Sequence, residues 1–177
     1  VRRADLEHII RAASRIVEQD IVVIGSQALL AQHPNPPAAM ARSNEADVYP
    51  RNTPERAIEI DGAIGEESQF HATFDYYAHG VGPETAKAPD GWRERLIPLV
   101  NENTDGATGW CMEIHDLVLS KCFAGREKDW AYARIALDEG LVDPALLLER
   151  TSLLPGPKGH REQIAQGIRG LASSREL

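Results

Sequence analysis

A mixed α+β fold, a small sheet flanked by helices and followed by a helical C-terminal part, is predicted by three observations. An amphipathic segment leads into a short, wholly apolar run. Strand-like segments separated by Pro- and Gly-rich turns continue to about residue 115. Beyond residue 116 only helical periodicity is left. The reading divides the chain into an α/β core over 1–115 and a helical part over 116–177.

Each element has a local cause. Between Asp5 and Glu18, Leu6, Ile9, Ile10, Ala13, Ile16 and Val17 fall at helical spacing and form one apolar stripe. Ile21-Val22-Val23-Ile24 is apolar on both faces, as a buried strand requires, and Gly25-Ser26 turns it into a helical stretch over Gln27-Ala28-Leu29-Leu30-Ala31. Three prolines between His33 and Pro37 make a loop. Glu45-Ala46-Asp47-Val48-Tyr49 alternates polar and apolar residues and reads as a strand ended by Pro50. Thr53 and Pro54 have the chemistry of an N-cap and a first helical residue, for a helix running to about Glu67. The aromatic content of Phe70 to Val81 predicts a strand, with a loop over Gly82 to Gly91. Leu96 to Val100 and Gly109 to Ile114 are two more strands. Asp116 is placed to cap a helix through Ala124, and further helices follow over Glu127 to Glu139, Pro144 to Arg150 and His160 to Ala172.

Composition narrows the function. Nineteen Lys and Arg against 27 Asp and Glu give a net charge of −8 over 177 residues, with 42% hydrophobic and 26% charged residues. That balance argues against broad binding of a phosphate backbone but leaves room for a locally basic cleft. No apolar run approaches the roughly 20 residues of a membrane span. Arg2-Arg3 runs into Asp5 and Glu7 rather than into the apolar core of an export signal, so a cytoplasmic location and no membrane partner are expected. Cys111 and Cys122 form no ligand pattern and are expected to be reduced and buried. No serine sits in a G-x-S-x-G elbow, which leaves a serine hydrolase without support.

Three features carry candidate chemistry. Gly25-Ser26 stands where a glycine lets the backbone approach a ligand and where a helix start favours phosphate, although a strand-to-helix turn also needs glycine for steric reasons alone. Glu45 and Asp47, two apart on a strand, share one face, and such a pair either is solvated or is neutralised by a hard divalent cation. Lys121, among Leu117, Val118 and Leu119, is costly to bury unless it meets an anion, and it precedes the run Gly125-Arg126-Glu127-Lys128-Asp129. Each feature also has a plainer structural reading, the last as a snorkelling lysine and a solvated helix start.

Taken together, Gly25-Ser26, Glu45-x-Asp47, Lys121 and the Gly-Arg-Glu-Lys-Asp run resemble the minimal nucleotidyltransferases of the DNA polymerase β superfamily, over about residues 20 to 140. They are most similar to the abortive-infection branch, which includes the toxins of type IV toxin–antitoxin pairs and many bacterial relatives. The resemblance implies an Mg²⁺- or Mn²⁺-dependent enzyme that transfers NMP from an NTP to a hydroxyl of RNA or protein. A tRNA 3′ end is then a possible acceptor and an antitoxin a possible partner. It implies that Gly25 and Ser26 bind the triphosphate, that Glu45 and Asp47 hold the metal, that Lys121 contacts the phosphates with help from Arg126 and Lys128, and that Asp129 completes the site.

One departure stands out. Glu45 occupies a position where the superfamily usually has aspartate, and its extra methylene favours a second reading, a weak or inactive relative that binds a nucleotide or a protein. A phosphohydrolase using the same carboxylates is a third. By analogy a further metal carboxylate is expected, with Asp75 and Glu113 as the candidates. His115-Asp116 is read as a helix start rather than an acid/base pair. His33, His71, His79 and His160 show no metal-site spacing, and Trp92, Trp110 and Trp130 are read as core rather than base-stacking residues.

Overall fold

The computed structural model describes residues 1–175 as a mixed α+β protein, a five-stranded mixed sheet with flanking helices and a helical C-terminal part. Its contacts group into two compact units, Val1–Ala86 with Leu96–Met112, and Lys87–Arg95 with the chain from Glu113 onward.

The first unit holds the whole sheet. Helix α1 (Arg3–Val17) starts where the Asp5 carboxylate accepts the Arg2 N–H, and ends at Glu18 in the left-handed conformation. Leu6, Ile9, Ile10, Ala13 and Val17 on its apolar stripe are at most 1% exposed, and burying each of the larger aliphatic side chains contributes about 1.5–3 kcal/mol. Strand β1 (Ile21–Ile24) is buried throughout. It pairs antiparallel with β2 (Glu45–Pro50), Ile24 opposite Asp47 and Ile21 opposite Pro50. Two more strands lie outside β1: β4 (Ile97–Leu99) is antiparallel to β5 (Gly109–Cys111), and β5 is parallel to β1. Beyond β2 the parallel edge strand β3 (Tyr77–Gly80) completes the order β3-β2-β1-β5-β4. Gly109 is what lets α1 approach β5, because a Cβ there would collide with Ile10 Cδ1.

Several expected elements differ from those observed. The strand expected over Phe70 to Val81 is half helix: α3 (Gln69–Phe74) is capped by Ser68, whose hydroxyl accepts the His71 N–H, and only Tyr77–Gly80 is extended. The aromatics that suggested a strand serve instead to pack α3 and the next residues onto α1, with His8, Phe70, Phe74 and Tyr76 in mutual ring contact. After a 3₁₀ turn over Pro54–Arg56, helix α2 (Ala57–Ile64) stops at Gly65 rather than near Glu67, and Thr53 makes no side-chain cap. The segment after Gly25 is a six-residue 3₁₀ helix, Ser26–Ala31, too short for a helix dipole of any strength.

The second unit is helical. α4 (Ile114–Ala124) packs on α5 (Glu127–Asp138) and on α6 (Pro144–Thr151), and α7 (Lys158–Ser173) packs on α5 and α6. Asp116 is not the cap of α4: Glu113 is, accepting the N–H groups of His115 and Asp116, which leaves Asp116 one turn inside. Gly125, at φ 71°, closes α4 and begins the turn to α5.

Candidate active site

β2 sets the first group of candidate residues. Its pleat turns Glu45 and Asp47 to one face, and pairing with β3 brings Tyr77 beside Glu45 and His79 beside Asp47. The Tyr77 hydroxyl donates to Glu45 Oε2 at 3.0 Å. Burial and this bond to a carboxylate push the Tyr77 phenol up to about 12, so it stays a donor and orients the glutamate. His79 Nδ1 lies 3.0 Å from Asp47 Oδ1. Ligand atoms of Glu45, Asp47 and His79 all fall within 4.8 Å of one another, the sole such trio of potential metal ligands among the described residues.

Gly25 closes the other side of this group. It sits at φ 75°, ψ −174°, a conformation open essentially to glycine alone, and a Cβ built there would stand 2.5 Å from Asp47 Oδ2. The turn is anchored by Gln27, buried, whose Nε2 donates to the Ser43 carbonyl just before β2. Backbone and carboxylate therefore approach more closely here than a side chain would permit. Two carboxylates and an imidazole nitrogen form a donor set that suits a divalent cation, and the glycine leaves the approach to Asp47 clear.

The second unit holds the other candidates. Lys121 on α4 is largely buried, with Nζ 3.9 Å from Asp129 Oδ1 and 4.6 Å from the centre of the Tyr132 ring. Asp129 is buried and accepts from the Arg126 backbone N–H at 3.1 Å and from Arg126 Nε at 2.7 Å. The Gly-Arg-Glu-Lys-Asp run is thus a capped helix start in which one carboxylate serves both a lysine and an arginine. Lys128 is exposed.

Neither Asp75 nor Glu113 belongs to the group of potential metal ligands formed by Glu45, Asp47 and His79. Asp75 is the exposed, left-handed C-cap of α3. Glu113 is occupied at the start of α4, taking Arg150 Nη1 at 2.6 Å and His115 Nδ1 at 2.7 Å. Burial by itself would raise the Glu113 carboxyl, but the hydrogen bond from His115 and the Arg150 charge outweigh it and hold the group at about 2. His115 Nε2 in turn accepts the Asp143 N–H. Asp116, fully buried, takes Arg95 and Arg150 together. Both cysteines are free and buried, and burial pushes each thiol up to about 12, far from a reactive thiolate. Trp92 is buried, as expected of a core residue, while Trp110 lies beneath the Arg51 guanidinium.

Sequence reasoning missed Tyr77 and His79. Their only signal is the β2–β3 register, which no spacing along the chain displays.

β2 thus presents two carboxylates on one face, beside the glycine turn that follows β1. The chain belongs to the family described as "nucleotidyltransferase of unknown function (DUF6036)", whose profile matches residues 4–139. No curated protein and no solved structure matches it. No helix among the described residues is long and apolar enough to cross a membrane.

Proposed function

We propose that this protein is a divalent-metal-dependent nucleotidyltransferase that moves a nucleoside monophosphate from an NTP to a hydroxyl of an RNA or a protein. Membership of the family supports the reaction class. The observation that carries the finer reading is the pairing of Glu45 and Asp47 on one face of β2, with Gly25 pressed against Asp47.

In the reaction the acceptor hydroxyl oxygen forms a bond to the α-phosphorus and gives up its proton to solvent, while the bond to the β-phosphate bridging oxygen breaks and pyrophosphate leaves with the electron pair. Such a transfer needs charge neutralisation and in-line placement more than covalent help from protein. Mg²⁺ or Mn²⁺, when bound, supplies the neutralisation. Asp47 and Glu45 would hold it, with the Tyr77 hydroxyl donating to Glu45 Oε2 and fixing that carboxylate. The backbone at Gly25 and the Ser26 hydroxyl are assigned to the triphosphate. Lys121 is assigned to the phosphates, with Asp129 as the positioning residue that holds its ammonium and the Arg126 guanidinium in place. Lys128 is a supplementary cation.

Purified protein incubated with each labelled NTP, Mg²⁺ or Mn²⁺, and bulk tRNA or cell lysate is expected to transfer label. Asp47→Ala and Lys121→Ala should abolish it. Transfer that survives Asp47→Ala overturns the reading. Glu45, one methylene longer than aspartate, favours one alternative, a nucleotide-binding relative without turnover, and NTP binding with no transfer to any acceptor would establish that instead. The toxin-like assignment, with a cognate antitoxin, rests on the Gly125–Asp129 run. It requires that expression harm a bacterial host in an Asp47-dependent way.

A further inference from the structure

The pairing of β2 with β3 gives the carboxylate pair a third neighbour of different chemistry. We infer that His79 is itself a ligand of the divalent cation and that it turns the site toward first-row transition ions, Mn²⁺ among them, over Mg²⁺. The inference rests on the metal-dependent reading given above and deepens it.

Three observations meet at this residue. The first is register: Asp47 and His79 are direct partners across parallel strands, and Glu45 lies two residues along the same face. The second is distance. His79 Nδ1 and Asp47 Oδ1 are 3.0 Å apart, and adjacent ligands of an octahedral ion with bonds of about 2.1 Å are separated by about 3.0 Å. That span therefore matches the edge of a coordination octahedron, once a cation takes the place between Nδ1 and Oδ1 and the ring keeps its proton on Nε2. The third is accessibility. The His79 side chain is 51% exposed and that of Asp47 is 26% exposed, so the two line an open surface that phosphate oxygens and water can reach to fill the remaining positions. An ion pair at such exposure contributes little to stability, which leaves the arrangement poorly explained as scaffold.

The other histidines with described bonds are spoken for differently. His115 uses both ring nitrogens, one on Glu113 and one on the Asp143 N–H. His8 Nδ1 meets the Tyr76 hydroxyl, and His71 Nδ1 accepts the Glu67 N–H. Among the described residues, His79 is the histidine grouped with two carboxylates as potential metal ligands. Its chemistry sets the preference: Mg²⁺ is hard and favours oxygen, whereas an imidazole nitrogen strengthens binding to later first-row ions. A neutral ring also adds no negative charge, which weakens the hold on Mg²⁺ further.

The test is Mn²⁺ binding to the whole protein near neutral pH, without substrate. The electron paramagnetic resonance of free Mn²⁺ measures affinity, and pulsed resonance detects nitrogen coupled to the bound ion. Wild type should show one histidine nitrogen coupled to Mn²⁺. His79→Ala should lose that coupling and at least about tenfold in Mn²⁺ affinity, the loss that even an outer-sphere partner brings. His79→Asp should bind Mn²⁺ through oxygen alone and compete better for Mg²⁺. All three proteins should keep the same melting temperature. Asp47-dependent Mn²⁺ binding without nitrogen coupling, or coupling that persists in His79→Asp, overturns the inference and leaves the metal-dependent reading standing. Absence of any Asp47-dependent binding overturns both.

Discussion

Glu45, Asp47 and His79 on the sheet, and Glu113, Asp116 and His115 at the start of α4, are each two carboxylates and one histidine. Around the second set stand Arg95 and Arg150, which neutralise both acids, and a backbone N–H that fills the last position on the imidazole. In the first set the Tyr77 hydroxyl donates to Glu45, His79 Nδ1 meets Asp47, and both carboxylates lie on one face of β2. The same residue types thus make an arginine-bound joint in one place and a group of potential metal ligands in the other. Residue type alone does not distinguish scaffold from site. The arginines held by the second set do.

The sharpest way to break this comparison is to disturb the arginine-bound joint. Arg150→Met leaves Glu113 and Asp116 short of a cation in a buried setting, and should cost about 3–5 kcal/mol in denaturant unfolding, without altering Mn²⁺ affinity. A loss below about 1 kcal/mol, the scale of a surface pair, would mean that the joint is no more than that.

Acid should act on the same joint next most strongly. The Glu113 carboxyl lies at about 2 in the folded protein against an ordinary 4.5. Below the ordinary value the unfolded chain takes up a proton that the folded chain refuses, so the stabilisation is complete above about 4.5 and drains away toward 2. That loss is on the order of 2–3 kcal/mol, and Glu113→Gln should flatten the fall in stability over this range.

At the first set the expected effects on stability shrink while those on function grow. Gly25→Ala forces a Cβ against Asp47 Oδ2 at a backbone angle that side chains avoid, for a cost of about 1–3 kcal/mol together with loss of label transfer. Tyr77→Phe removes one donor from Glu45, about 1 kcal/mol, and should weaken Mn²⁺ binding in direct titration. Asp47→Asn relieves acid repulsion and should leave the melting midpoint within about 0.5 kcal/mol of wild type, while it abolishes transfer. A strongly destabilised Asp47→Asn would place the first set in the scaffold class.

How legible this was in the sequence depended on the range of the contact involved. α1 and β1 were readable because an apolar stripe and an apolar run are local patterns, and Arg3–Val17 and Ile21–Ile24 lie close to where the residues put them. The shared face of Glu45 and Asp47 was readable for the same reason. Phe70 to Val81 misled because aromatic content does not separate a strand from a short helix capped by Ser68 and held by ring contacts to His8. The cap of α4 was assigned to Asp116 instead of Glu113, three residues earlier, since both are acids near a helix start. Tyr77 and His79 could not be found at all, because they reach β2 only through pairing with residues 32 positions away.

That pairing puts the choice of metal somewhere unusual. On a strand the alignment of neighbours repeats every second residue, so shortening the connection ahead of β3 by a single position would rotate Tyr77 and His79 away and offer Ala78 or Gly80 to Asp47 instead. Such a slip would turn the buried Ala78 out of the core, and nitrogen would vanish from the proposed donor set while both acids stayed. On the proposal that His79 binds the cation, preference among cations would be a property of loop length, open to change by insertion or deletion without any substitution in the residues proposed to bind.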